Sequence, residues 1–120
     1  MSDDRREKSQ HIAKRLFGIE INPEREGDPF YTPALEHLFG EIWSRPGLAL
    51  RDRSLVTIAA LMVLGREREF AFHLRGALNV GVTPTEIEEM IVHLGYYGGF
   101  PTAATARKIA AEFLGKGSEA

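Results

Sequence analysis

The stretch from Leu55 to Leu64 constrains the fold more than any other part of this sequence. It is apolar at every position except Thr57, and it is too short to cross a membrane, which takes about 20 residues. As a helix from about Asp52 to Leu64 it would be apolar nearly all round, so other elements must cover most of its sides. A chain of 120 residues has few helices for this, and a neighbouring subunit is a reasonable source of cover.

Helical spacing dominates the rest of the chain, and strand patterns are almost absent. Apolar residues at i, i+3, i+4 and i+7 predict amphipathic helices. We expect helices at about 3–17 and 32–43, one that carries Glu69 and His73, one that begins at Thr83, and one at about 102–114. The chain is therefore predicted to be all-α: a single domain over 1–120, built as a bundle of about six helices.

Several predicted helix ends carry local signals. Thr83, Pro84 and Glu86 combine an N-cap, a proline in the first turn and a capping-box acid. Thr32 would cap the second helix. We expect the stretch from 21 to 32 to be an irregular connection and the tail from Gly115 to be frayed. The segment 95–101 holds three glycines. It could be only a helix–helix turn, but the glycines favour a constrained loop that lines a pocket or an interface.

The composition excludes several classes of function. There is no cysteine, which excludes disulfides, cysteine-ligated metals and thiol nucleophiles. The four histidines show no paired metal-ligand spacing, and we expect no metal. The net charge of −2 gives no electrostatic reason to expect nucleic acid or a membrane surface as partner. The charged first residues lack the apolar core of a secretory signal, so we expect a cytoplasmic protein.

Glu69 and His73 are the strongest candidates for chemistry. They are four residues apart on one predicted helix, so their side chains share a face. A carboxylate beside an imidazole is a common arrangement for general acid–base catalysis. The alternative is an ordinary surface pair, which would add only a few tenths of a kcal/mol to helix stability.

A second group of residues could bind an acidic substrate. Arg45, Arg51 and Arg53 cluster before the apolar helix, and a guanidinium offers a planar fork for a carboxylate. The alternative is a solvated helix start, paired with Asp52 or Glu41. Arg66, Arg68 and Arg75 have the same ambiguity. Tyr96, Tyr97 and Gly98 would place phenol groups beside a close backbone approach.

Three sequence blocks follow one another in an order and spacing that we recognise. The first is IWSRPGL at 42–48 followed by RSLVTIA at 53–59, the second is EFAFHLRGAL at 69–78 with GVT at 81–83 and EI at 86–87, and the third is YGGFPTA at 97–103. These blocks resemble the carboxymuconolactone decarboxylase family. The resemblance extends over about 35–114, with 32–114 as the family core and 1–31 as an added helix and connection.

The wider superfamily also contains alkylhydroperoxidase-like proteins, which this chain resembles around the second block. Those proteins carry Cys-x-x-Cys with a histidine four residues after the second cysteine. His73 matches that histidine, while the cysteine positions fall on Arg66 and Glu69. Thiol peroxidase chemistry needs a thiolate, so this chain is expected not to be a thiol peroxidase.

The decarboxylase resemblance implies a reaction. The substrate would be 4-carboxymuconolactone, which loses carbon dioxide and gives the enol-lactone of 3-oxoadipate in aromatic-acid breakdown, without a cofactor. His73 would be the proton donor or enolate partner, and Glu69 would orient it or share the proton. The arginines would bind carboxylates, and Tyr96 or Tyr97 would donate a hydrogen bond to the lactone. Many such decarboxylases have cysteine where this chain has Gly98.

The family resemblance also implies assembly, because its members form rings of helical subunits, often trimers or hexamers. Two other functions stay open from the sequence. One is an enzyme with the same fold that acts on another small acidic or enolisable substrate. The other is a non-catalytic helical module for small-ligand binding or assembly.

Overall fold

The computed structural model of the protein describes residues 2–19 and 28–114. This part of the chain is all-α, as predicted, with six α-helices and one π-helical segment. The chain divides into two compact units, Met1–Leu50 and Arg51–Ala120, and each is described by itself below. The assignment of 1–120 to one domain stays a prediction. Within the described residues, no helix is long and apolar enough to cross a membrane.

The first unit contains α1 (Ser2–Phe17), α2 (Tyr31–His37) and the π-helical segment Leu38–Ile42. Ile12 and Leu16 of α1 are buried, and Phe17 is half-buried. Phe39 is also buried, and its ring lies 6.2 Å from that of Phe17 and 5.7 Å from that of Trp43. Aromatic pairs at these separations stabilise beyond the area that they bury. This cluster is the core of the unit.

The predicted second helix, a regular α-helix over 32–43 capped by Thr32, is wrong in two respects. The backbone N–H groups of Phe30 and Tyr31 donate to the Asp28 carboxylate at 2.8 and 3.3 Å, and the helix already begins at Tyr31. After His37 the chain widens into the π-helical segment. Four apolar residues here follow α-helical spacing, Leu35, Leu38, Phe39 and Ile42, but only Phe39 is buried. Three of the four lie in the π-helical segment, whose turns differ from those of an α-helix. Residues 20–27 of the predicted connection, and the predicted frayed tail, lie outside the described residues.

The second unit contains α3 from its second residue, α4, α5 and α6. The bounds are Leu50–Val63, Glu67–Asn79, Pro84–Gly98 and Phe100–Leu114. Its core combines large side chains of the first three helices with small ones of the last: Ile58, Met62, Phe70, Leu74, Ile87, Ile91, Ala103, Ala106 and Ala110. On α3, Val56 and Val63 stay 56% and 40% exposed. Cover of this apolar helix by a neighbouring subunit stays a prediction, and these side chains mark where it would pack.

The predicted capping box at the start of α5 is confirmed. Glu86 N–H donates to the Thr83 hydroxyl at 3.1 Å, and Thr83 N–H donates to the Glu86 carboxylate at 2.9 Å. Glu86 also accepts from Arg51, which donates to Asp52 at 2.9 Å. The Thr83 backbone N–H, and after it Arg51, holds the pKa of Glu86 below its usual value. The arginine thus connects the first turn of α3 to the first turn of α5.

The predicted loop over 95–101 is wrong. Helix α5 continues through Gly98, and α6 begins at Phe100 after the single residue Gly99, whose φ is 100°. A glycine costs a helix only about 1 kcal/mol relative to alanine, and here it permits close packing. A Cβ on Gly95 would lie 3.3 Å from Ala103, and one on Gly98 would lie 3.0 Å from Val63.

Candidate active site

Helix α4 fixes the orientation of the Glu69–His73 pair. Phe70, Leu74 and Ala77 are buried on one side of this helix, as the apolar spacing predicts. Glu69 and His73 therefore lie beside the buried stripe, where the glutamate is exposed and the histidine is half-buried. The Phe72 ring stands edge-on to the imidazole, with 5.6 Å between ring centroids. The pair is thus placed at the edge of the core, with access to solvent.

Burial sets the protonation state of His73. It lowers the pKa of the imidazole below its ordinary value of 6.5, while the negative charge of Glu69 opposes this and raises it. Burial is the larger of the two effects, because a charged ring loses hydration there. His73 is therefore neutral at neutral pH, with one N–H to donate and one nitrogen to accept. A neutral imidazole beside a carboxylate can stabilise a developing oxyanion and transfer a proton.

The lowered pKa of His73 predicts how stability depends on pH. Between that lowered pKa and 6.5, the unfolded chain binds more protons at this residue than the folded protein does. The free energy of unfolding should therefore rise with pH through this window, and it should fall again as the pH drops. His73→Gln is expected to remove this part of the pH dependence in urea unfolding curves, while His93→Gln, at an exposed position, serves as the control.

The Glu69→Gln variant tests the account of the His73 pKa by a second measurement. The change removes the charge that raises the pKa of His73, so the imidazole should titrate at still lower pH. Proton NMR of the imidazole resonances follows this directly. A His73 that titrates at or above 6.5 in the folded protein would contradict the account of burial.

The three candidate arginines occupy different surroundings. Arg51 is held by Glu86 and Asp52, and the Glu86 hydrogen bond is the largest cause that raises its pKa. Arg53 is half-buried on the first turns of α3 in the same unit. Arg45 is exposed in the first unit, at a groove of about 510 Å³ that Lys8, Trp43 and Leu48 also line. The pairing of Arg51 with Asp52 was one of the sequence-based alternatives. Glu41 instead pairs with Arg5 at 2.6 Å.

The tyrosines and Gly98 lie on α5 rather than on a loop. Tyr96 and Tyr97 are each 76% exposed, and their rings contact Phe100 and His93 respectively, both with 5.2 Å between centroids. Gly98 packs against Val63. A cysteine at this position would have to displace the valine side chain, so packing between α5 and α3 is a sufficient reason for the glycine. Contact of these three residues with substrate stays a prediction.

Sequence analysis missed a cavity of about 190 Å³ beside the start of α4. Its lining comes from the end of α3, the start of α4 and the first half of α6. Residues so far apart in sequence meet only in the folded chain, and the one available signal was Arg66, whose role the sequence left ambiguous. Within 2–19 and 28–114, no group of three or more His, Asp or Glu side chains is placed to hold a metal ion.

Comparison with known proteins decides the family. Residues 29–112 match the carboxymuconolactone decarboxylase family. The chain belongs to this family. The matched region begins after α1 and ends two residues before the end of α6, which confirms the resemblance seen in the three sequence blocks.

Two curated relatives of this family member are decarboxylases. The chain is 41% identical over 110 residues to the 4-carboxymuconolactone decarboxylase of Acinetobacter baylyi, covering 79% of this chain and 82% of that protein. It is 36% identical over 101 residues to the nitrosuccinic acid decarboxylase of Metarhizium robertsii, covering 79% and 71%. A third relative, an uncharacterized 15.0 kDa protein of Paracoccus denitrificans, is 36% identical over 119 residues, covering 81% and 89%. The cysteine-free sequence separates this chain from thiol peroxidases.

Proposed function

We propose that the protein decarboxylates 4-carboxymuconolactone to the enol-lactone of 3-oxoadipate, without a cofactor, in aromatic-acid breakdown. The observation that carries this proposal is the half-buried His73, which burial keeps neutral one turn from Glu69. The relative that is 41% identical and named for this reaction supports the choice of substrate. The match covers 79% of this chain and 82% of that relative, which supports a comparable site.

The proposed reaction needs an acceptor for electrons and a source of one proton. When the ring carbon–carboxylate bond breaks, carbon dioxide leaves and the electron pair passes through the ring double bond to the lactone carbonyl. The product of this step is a dienolate, with its negative charge on the former carbonyl oxygen. A proton then adds to the ring carbon beside that carbonyl, which gives the enol-lactone. Neither an oxidant nor a reductant takes part.

His73 can assist both steps of this reaction. Its neutral imidazole N–H can donate a hydrogen bond to the dienolate oxygen as charge develops, and its other nitrogen can take a proton from solvent water and pass it to the ring carbon beside the carbonyl. The negative charge of Glu69 partly offsets the lowering of the His73 pKa by burial. We propose that Glu69 also orients the imidazole ring during the proton transfer. General acid–base groups of this kind contribute about 10²–10⁴-fold to a rate.

The substrate carboxylates require positive charge. Arg51 is engaged by two carboxylates of the protein. Arg53 lies half-buried on α3 in the same unit as His73, and we propose it as a carboxylate ligand. Arg45 stays a proposed ligand from a neighbouring subunit. Tyr96 and Tyr97 expose phenol groups that could donate a hydrogen bond to the lactone.

A second candidate substrate class has its own support. The relative named nitrosuccinic acid decarboxylase acts on an acid that is not a lactone. Both named substrates are small acids that lose carbon dioxide and leave a carbanion to be stabilised. The same His73–Glu69 pair would serve either acid, and selection between them would depend on the surrounding pocket.

Parallel assays separate the two substrates. The purified protein is incubated with 4-carboxymuconolactone and, separately, with nitrosuccinic acid, while carbon dioxide release and ultraviolet absorbance are followed. We expect turnover of the lactone at a higher kcat/KM. Turnover of nitrosuccinic acid alone would favour the second candidate, and no turnover of either would contradict the proposed decarboxylase function.

Assembly into a ring is also part of the proposal. The second unit exposes several large apolar side chains, among them Val56, Leu64, Phe72 and Val92. A neighbouring subunit could cover these side chains and remove their apolar surface from water. We propose a trimer or hexamer, and a monomeric mass by light scattering would count against it.

A further inference from the structure

The cavity beside the start of α4 has a lining that suits a ligand. Its apolar walls come from three helices: Leu61, Met62, Phe70, Ala106 and Ile109. Thr102 and Thr105 add hydroxyl groups on the α6 side, and the Thr105 hydroxyl donates to the Pro101 carbonyl at 3.1 Å. Apolar walls with a few polar groups are typical of sites for small molecules.

This cavity is open to solvent and has room for a small molecule. At about 190 Å³ it exceeds by far the roughly 10–15 Å³ that a cavity needs to hold one water molecule. Gly65 lines it with a φ of 74°, and a Cβ added there would meet no atom within 4 Å. No side chain therefore fills the cavity at the junction between α3 and α4. An apolar occupant gains more from these walls than water does.

Charged side chains stand at the entrance. Arg66 and Glu67 both line the cavity and are exposed. The arginine offers a planar pair of donors to a carboxylate, while the glutamate charge opposes an anion. Removal of the arginine charge should therefore weaken the binding of an anion, and removal of the glutamate charge should strengthen it.

One wall of the cavity belongs to the helix that carries the proposed catalytic pair. Phe70, on its wall, precedes His73 by three residues, or about 4.5 Å along the helix axis. Arg66 is the residue that precedes α4, and Glu67 and Phe70 of that helix line the cavity while Glu69 and His73 do not. A ligand with its body against Phe70 would therefore lie within one helical turn of His73.

We infer that this cavity binds the flat apolar body of a small unsaturated organic acid, with a ligand carboxylate on Arg66. The inference rests on the proposed function only in taking this acid to be the substrate; the site itself is tested by binding. It gives Arg66 a role in substrate specificity that the sequence left undecided.

Binding of 2-furylacetate to the full-length protein tests the site. This probe has a flat five-membered ring and one carboxylate, and it lacks the ring carboxyl group that the proposed reaction removes. In ¹⁵N–¹H NMR spectra we expect its largest shifts at the cavity residues. Arg66→Gln should weaken binding about tenfold, because hydrogen bonds to charged groups contribute on this scale. Glu67→Gln should strengthen it.

Matched controls make each outcome decisive. Arg68→Gln removes the same charge from an exposed position of α4 that does not line this cavity, and it should leave binding unchanged. The neutral analogue 2-furylmethanol should bind the Arg66→Gln variant as well as it binds the unchanged protein. Thr102→Leu, which fills part of the cavity, should weaken both ligands.

Two results would overturn the inference. One is binding of 2-furylacetate that is equal in the Arg66→Gln and Arg68→Gln variants. The other is an absence of shifts at the cavity residues at saturating probe. Retained binding with no turnover of the lactone would instead remove the proposed function and leave the site in place.

Discussion

Replacing His73 with alanine is expected to lower kcat for the lactone by about 10²–10⁴-fold, the range of a general acid–base group. Burial lowers the pKa of this imidazole below its ordinary value, which favours the neutral ring. Without it, the dienolate oxygen loses its hydrogen-bond donor, and the ring carbon loses the group that passes a solvent proton to it. Steady-state assays on the purified variant measure the effect, and we expect kcat to change more than KM.

The control for this prediction is His93→Ala. His93 is exposed on α5 and contacts the Tyr97 ring, so its removal deletes an imidazole without touching α4. We expect near-normal turnover from this variant. Since His73 is half-buried, circular dichroism must show that the His73→Ala protein stays folded. A folded His73→Ala protein with full turnover would exclude His73 from the chemistry.

Local sequence signals were sufficient for much of the helical structure. The capping box at Thr83 and the buried stripe of Phe70, Leu74 and Ala77 depend on residues within one or two turns of each other. Such signals specify a helix before any tertiary contact forms. The same reason explains why Glu69 and His73 could be paired from the sequence, since a spacing of four residues fixes their shared face.

Except for the cap at Thr32, where Asp28 accepts from the nearby Phe30 and Tyr31, the wrong predictions depended on contacts between distant residues. The π-helical segment Leu38–Ile42 and the helical Gly95–Gly98 run against local preference, and tertiary packing outweighs that preference in both places. The sequence also could not tell which carboxylate would hold Arg51, because Glu86 lies 35 residues away. The cavity at Arg66 depends on α6 for one of its walls, and no local pattern in α4 predicts it.

Gly40→Ala is expected to destabilise the first unit by about 1–3 kcal/mol, the usual range for overpacking a well-packed site. A Cβ at this position would lie 3.0 Å from the Arg5 carbonyl carbon and 3.1 Å from its Cα, and closer still to its carbonyl oxygen. All three are backbone atoms of α1, so no side-chain rotation can relieve the clash. Either α1 or the π-helical segment must move. The free energy of unfolding from urea titration measures the loss.

The Gly47→Ala variant separates this clash from the general effect of replacing glycine. Gly47 belongs to the same unit, and a Cβ there would meet no atom within 4 Å. Alanine also lowers the conformational entropy of the unfolded chain, which favours folding by about 0.4–1 kcal/mol where the native backbone accepts it. Gly47→Ala should therefore be neutral or stabilising, and Gly40→Ala should lose stability despite the same entropic gain. Equal stabilities for the two variants would mean that α1 does not pack against Gly40 as closely as the structure shows, because only that contact distinguishes the two substitutions.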